Sequence, residues 1–313
     1  SGGGTLIVGG EGASNATLAV RQIRTVYYNK DSGLASGTLR VATGGTLTAS
    51  SSVQLSTQNY TTELAGGTIE TPTLITFAGA TVSADSSLRA PTGRTATVRT
   101  QSRTNDALTG TGGVTLSGTV TIASELAGYT GTLTVSEGAK LTLSDNARPN
   151  LVLKDNASLT VTPTPNEIAN ASIVFQTSMT TSPTTPGTFN IINEEGEPVT
   201  TSVVGEVNEG QLILSWKADY PTLSESGKWS TGNWTNLPTE TLYPSSGTAI
   251  LEGGTAGITV TLDTDLSSNS SKMDIIVVRG NVTLETTGTQ ATIPACVALA
   301  EGATLTIDAN FSG

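Results

Sequence analysis

Asp263 and Asp265 are the residues of this chain whose spacing most invites chemistry. Two positions apart on a strand, their carboxylates project from the same side. A pair of carboxylates is the equipment of glycoside cleavage. No Lys, Arg or aromatic residue gathers beside them in the sequence to hold a sugar, so a solvated strand end is the favoured reading. The chain contains no histidine. That removes Ser-His and Cys-His catalysis and the commonest metal ligand. Cys296, the lone cysteine, lies in the apolar phrase IPACVALA and reads as a buried, inert thiol with no disulfide partner. Glu194, Glu195 and Glu197 cluster around Gly196 and Pro198 without the Asp/Asn ladder of a calcium loop, which makes them a solvated turn. The expectation is a protein that is not an enzyme and needs no cofactor or metal.

Binding leaves more traces than catalysis. The three tryptophans, Trp216, Trp229 and Trp234, fall close together in a chain only 4% aromatic. Indole faces stack on sugars, so surface glycans are one expected partner. The competing and favoured expectation is packing at a junction, where Gly-rich segments leave space to fill. Eight N-x-S/T sequons, at Asn15, Asn59, Asn156, Asn170, Asn233, Asn269, Asn281 and Asn310, are candidate glycan acceptors. In a chain this rich in Thr and Ser, chance supplies several of them.

The elements that must carry these residues are short strands. In the stretch Leu108–Asp145, Val114, Leu116, Val120 and Ile122 alternate with Thr or Ser, and Leu133, Val135, Leu141 and Leu143 do the same. A period of two closed by Gly is a strand signal, with one apolar and one hydroxylated face. The phrase G-x-L-T-V/L returns at Gly37–Val41, Gly45–Thr48, Gly67–Glu70, Gly131–Val135, Gly138–Leu143 and Gly302–Ile307. Recurrence of one strand-turn phrase along a whole chain marks a solenoid, here with rungs of roughly 20 residues and about 15 of them. No apolar i, i+3, i+4 spacing is sustained, so no helix is expected. The formal charge of −11 disfavours nucleic acid. The longest bulky apolar run, Ile275–Val278, is far too short to span a membrane.

Four sections follow along the chain. Residues 1–161 read as one β-solenoid segment, with Leu6 and Val8, Leu18 and Val20, and Leu39 and Val41 as early inward pairs. Arg21–Ser32 and Asn59–Leu64 interrupt the pattern and read as insertions. Residues 162–215 are a Pro/Thr-rich β section ending in a hairpin. Residues 216–247 hold the Trp junction, and 248–313 resume the solenoid.

These phrases resemble the passenger regions of bacterial autotransporters with autotransporter-associated β-strand repeats. The family phrase G-T-G-x-L-x-x-S-G…Y-x-G-T-L-x-V is matched by Gly110, Gly112, Gly113, Val114, Leu116 and Gly118, then Tyr129, Gly131, Leu133 and Val135. The segment Ser226-Gly-Lys-Trp-Ser-Thr-Gly-Asn-Trp234 is similar to the W-S-x-x-x-N-W phrase that opens segments in such proteins. The resemblance implies an all-β, right-handed parallel β-solenoid at a cell surface or in a secreted fibre. No translocating barrel follows in these residues, so the match is to a passenger portion.

Two functions remain open from the sequence. One is a structural surface or fibre protein, a stalk, filament subunit or adhesin passenger. The other is a carbohydrate-binding or polysaccharide-degrading β-helix. Joined end to start, the chain reads through a phrase laid out like Leu108–Gly118, which raises the expectation of head-to-tail stacking with Leu6 and Val8 meeting Leu305 and Ile307. Free solenoid ends expose unpaired strand edges that such stacking would cover.

Overall fold

A computed structural model of the chain describes residues 4–24, 37–55, 60–77, 79–100, 106–143, 147–193, 198–199, 202–216, 220–237, 241–264, 266–268, 271–286 and 296–308. The fold is almost entirely β and its sheets are largely parallel. The chain divides into two compact units. The first comprises 1–162, 174–198 and 203–214, and the second 163–173, 199–202 and 215–313. The Pro/Thr-rich middle section is thus shared between them.

In the first unit the strands form three parallel ladders, each taking one strand per circuit of the chain. The first ladder runs through Gly4–Val8, Gly37–Ala42, Tyr60–Ala65, Ala80–Ala84 and Leu108–Gly110, and a single bridge carries it on to Tyr129. The long strands Ala16–Arg24 and Gly45–Leu55 each serve two ladders. Their first halves begin a second ladder, continued by Thr68–Glu70, Ser86–Arg89, Val114–Ser117, Thr132–Val135 and Asn150–Leu153. Their second halves begin a third, continued by Leu74–Phe77, Thr95–Thr100, Thr119–Ile122, Lys140–Leu143, Ser158–Val161 and Phe189–Ile191. The step between rungs is 18 residues from Thr132 to Asn150 but 33 from Gly4 to Gly37. Long steps leave fewer rungs than a uniform repeat gives.

Parallel pairing in register stacks like on like, and this is where the period of two has its effect. Val114, Leu133 and Leu151 form one inward column, and Leu116, Val135 and Leu153 another. Val120, Leu141 and Leu159, with Ile122, Leu143 and Val161, do the same on the third ladder. All twelve are buried, each side chain contributing roughly 1.5–3 kcal/mol of transfer free energy. At the corners, buried hydroxyls satisfy turn backbone: Ser124 Oγ accepts from the Thr100 amide at 2.9 Å, and Ser86 Oγ accepts from Gly66 and donates to Ala84. Outward charges stand opposite the other sign on the next rung, as in Arg40–Glu63 and Arg89–Glu70, so stacking brings no like-charge repulsion at these positions.

Both expected insertions hold strand residues. Residues 21–24 continue the strand begun at Ala16, past a register shift between Val20 and Gln22, and residues 25–32 lie outside the described residues. Within Asn59–Leu64, residues from Tyr60 onward pair in register with Gly37–Ala42, and Leu64 is fully buried. Thr62 occupies the inward position between Leu39 and Ala80 and breaks the apolar alternation, so the strand leaves no period of two in the sequence. The Thr62 hydroxyl is buried without a hydrogen-bond partner among the described residues.

In the second unit two parallel ladders run side by side along the chain. The fourth ladder comprises Thr222–Leu223, Gly247–Glu252, Ser271–Arg279 and Cys296–Leu299. The fifth comprises Gly227–Lys228, Ile258–Leu262, Asn281–Thr286 and Thr304–Ile307. A helix, unforeseen, covers part of the fourth ladder: in Pro165–Asn170, Ile168 and Ala169 pack on Ile250, Val277 and Ala298. Arg279 Nε donates to the Ala169 carbonyl at 3.0 Å, and Asn170 Oδ1 accepts from the Glu301 amide. The helix has a sequence signal after all, the capping box Thr164-Pro-Asn-Glu167, in which each end residue's side chain accepts from the other's backbone amide. A separate three-stranded sheet, most of whose residues belong to the first unit, comprises Ser172–Gln176, Gln211–Trp216 and Val203–Asn208. The last two are joined through Glu209 and Gly210, at φ 47° and 78°, the tight hairpin turn that positive φ at both positions permits.

Candidate functional site

Three constellations stand out: the Trp segment, the seat of Tyr129, and the outward columns of hydroxyls. The Trp segment is built for packing. Trp229 is fully buried at the start of a 3-10 turn, and its Nε1 donates to the Pro244 carbonyl at 3.0 Å. Trp234 is buried against it, ring centroids 4.7 Å apart in an edge-to-face arrangement, with its Nε1 donating to the Trp229 carbonyl at 2.9 Å. Both indoles belong to a cluster with Leu223, Leu251, Val260 and Leu262. Trp216 lies elsewhere, buried at the end of the small sheet, and its Nε1 has no hydrogen-bond partner among the described residues. None of the three offers an open indole face to a ligand.

Asp263 is committed to the same segment. Its two oxygens accept from the Ser230 amide, at 3.0 Å, and from the Ser230 hydroxyl. Burial pushes this carboxyl up, but the bonds from Ser230, with Lys228 nearby, outweigh it and hold the group below the usual carboxylate range. An acid so held is an ionised anchor for the turn, poorly suited to donating a proton. Asp265 lies outside the described residues, as do Glu194, Glu195 and Glu197. Among the described residues no group of three or more acids, Cys or His converges to hold a metal. Cys296 is half-buried and unpaired, at the start of the last strand of the fourth ladder.

Tyr129 explains the repeat phrase physically. Its ring is buried and its hydroxyl donates to the Gly112 carbonyl at 2.8 Å. Desolvation, with Asp85 adding its charge, pushes the phenol well above its ordinary range, so it stays a donor. A Cβ on Gly131 would lie 2.1 Å from the Gly112 oxygen and 2.7 Å from the Tyr129 ring. Gly112, Tyr129 and Gly131 are therefore one mechanical unit.

The outward faces carry columns of hydroxyls. On the second ladder Thr17, Thr46, Thr68, Ser87, Thr115 and Thr134 follow one another in register. On the third ladder the column is Thr97, Thr121, Thr142 and Thr160. The fifth ladder repeats the device with Thr259, Thr283 and Thr306, beside a hollow of about 330 Å³ also lined by Asn281 and Thr304.

Of the sequon asparagines, Asn15, Asn156, Asn170, Asn233 and Asn281 are exposed, while Asn59, Asn269 and Asn310 lie outside the described residues. Asn15 and Asn156 sit at φ 59°, in tight turns. Leu6 is 44% exposed and Val8 buried on the first rung, and Ile307 is 47% exposed and Leu305 half-buried on the last. Among the described residues no helix is long and apolar enough to cross a membrane. No family model matches the chain, and neither a curated protein nor a solved structure matches it.

Proposed function

We propose that this chain is a structural module of the extracellular surface, a right-handed parallel β-solenoid of the autotransporter-passenger type. On this reading it works as a stalk, filament subunit or adhesin passenger by its length and exposed faces, with no catalysis. The observation that carries the reading is the in-register stacking of three ladders, with aliphatic columns inside and hydroxyl columns outside. Right-handedness follows from the strong chiral preference of parallel crossovers. The indoles and Asp263, the residues most suggestive of a glycan site, are engaged in packing. Exposed Leu6 on the first rung of the first ladder and Ile307 on the last rung of the fifth, both at positions whose neighbours in the ladder are buried, support end-to-end association. The test is sedimentation and electron microscopy of the protein against a Leu305→Lys, Ile307→Lys variant. Filaments or end-to-end dimers lost in the variant agree with the reading. A monodisperse monomer at high concentration defeats the association, and reproducible polysaccharide turnover defeats the non-catalytic role.

A second reading has one specific observation behind it. The hollow lined by Thr259, Asn281, Thr283, Thr304 and Thr306 offers hydroxyl and amide groups matched to a sugar's hydroxyls. Glycan-array binding abolished by Thr283→Val with Asn281→Ala would favour carbohydrate recognition there.

A further inference from the structure

The outward face of the third ladder differs from the other hydroxylated faces in carrying two adjacent columns that are nearly all hydroxyl. One column is Thr97, Thr121, Thr142 and Thr160, and the other is Thr95, Thr119, Lys140 and Ser158. The corresponding second column beside the Thr ladder of the second face carries Glu70 and Arg89. Pairing from Thr95–Val98 through Ser158–Val161 proceeds without a register shift. Equivalent backbone positions therefore repeat about every 4.8 Å between rungs, side chains held in the same rotamer repeat with them, and the two columns lie about 6.6 Å apart along the strands.

Hydroxyls on neighbouring rungs bond each other directly elsewhere, as Thr38 with Thr61 at 2.8 Å and Ser117 with Ser136 at 3.0 Å, but no such bond joins Thr97, Thr121 and Thr142 among the described residues. No protein group bonds the hydroxyls of Thr97, Thr119, Thr121 or Thr142 among the described residues, whereas at the last rung of the array Ser158 Oγ accepts from the Thr188 amide at 3.2 Å and Thr160 Oγ1 from Asn190 Nδ2 at 3.3 Å. One water bonded to two successive hydroxyls at about 2.8 Å spans the gap with an angle near tetrahedral. Water bonded tetrahedrally to itself at about 2.8 Å puts next-nearest oxygens about 4.6 Å apart. The rung repeat and the repeat of tetrahedral water thus agree within a few tenths of an ångström.

We propose that this face binds ice, its two columns holding a sheet of water that continues the crystal lattice. Backbone ladders on a packed core fix the hydroxyls before the ligand arrives, which lowers the ordering cost of binding. Lys140 is the flaw in the array, a charged, strongly hydrated group where the pattern calls for a hydroxyl.

The test uses the whole chain in dilute buffer, observing ice-crystal shaping, thermal hysteresis and recrystallisation of fine-grained ice. The protein should shape ice and slow recrystallisation. A Thr121→Lys, Thr142→Lys variant should fall to the level of buffer, and Lys140→Thr should exceed the natural chain. Circular dichroism unchanged in both variants excludes unfolding as the cause. The same two substitutions at Thr46 and Thr115, on the other face, should leave the effect intact. No ice shaping by the natural chain overturns the proposal, as does equal activity in the Thr121→Lys, Thr142→Lys variant. Either result leaves the structural role untouched, because that role is read by assembly.

Discussion

The two units solve the same packing problem with different side chains. In the first, three ladders surround the interior, and stacked Val, Leu and Ile fill it; among its buried aromatics are Phe175 and Tyr129, the latter where the first ladder thins to a single bridge. In the second, the two principal parallel ladders share a cluster that takes in Trp229 and Trp234, with both indole N–H groups satisfied by backbone carbonyls. Where rungs repeat closely, small aliphatic side chains suffice because each column is continued above and below. Where the ladders are fewer, large rings with polar handles replace the missing regularity.

The comparison breaks most sharply at Trp229. Trp229→Ala should cost about 3–5 kcal/mol, read as a lowered urea midpoint for the second unit, whereas Leu133→Ala in the first should cost about 2–5 kcal/mol. If Trp229→Ala leaves unfolding unchanged, the indole is not the substitute for a third ladder. A smaller effect lies at its anchor. Asp263→Asn should cost about 1 kcal/mol at neutral pH through loss of charge-assisted bonds from Ser230. Because the folded carboxyl is held below its unfolded value, its contribution is present above the unfolded value of about 4 and is lost as the pH falls through the folded one. Denaturant titrations below about pH 4 should therefore show the natural chain converging on the variant. Smallest, and opposite in sign, is Thr62→Val in the first unit. Removing a buried hydroxyl without a partner should stabilise by about 1 kcal/mol, measured as a raised urea midpoint. A destabilisation there would mean that the hydroxyl is satisfied.

What the sequence revealed follows from periodicity. Val114, Leu116, Leu133 and Val135 announce inward columns because strict alternation survives wherever every inward residue is aliphatic. Tyr60–Ala65 was hidden because Thr62, one inward hydroxyl, is enough to erase a pattern only six residues long. The helix at Pro165–Asn170 was hidden for a different reason: six residues are too few to show a 3.6-residue period, and its capping box is the one local trace. The candidate chemistry was least legible. Asp263 looked like half of an acid pair, and only the three-dimensional proximity of Ser230, thirty-three residues away, shows what the carboxylate holds. Nothing in composition distinguishes a column of aligned threonines from scattered ones, since register is a property of stacking.

Register is therefore the central claim, and it is open to direct measurement. Spin labels on cysteines placed at Thr121 and Thr142, with Cys296 replaced by Ala, report the distance between two residues paired on neighbouring rungs. The account predicts strong dipolar and exchange broadening, as expected for backbones about 4.8 Å apart, and a marked narrowing when the second label is moved to Thr160, one rung further on. Sharp, uncoupled spectra from the Thr121 and Thr142 pair in the folded protein would contradict it.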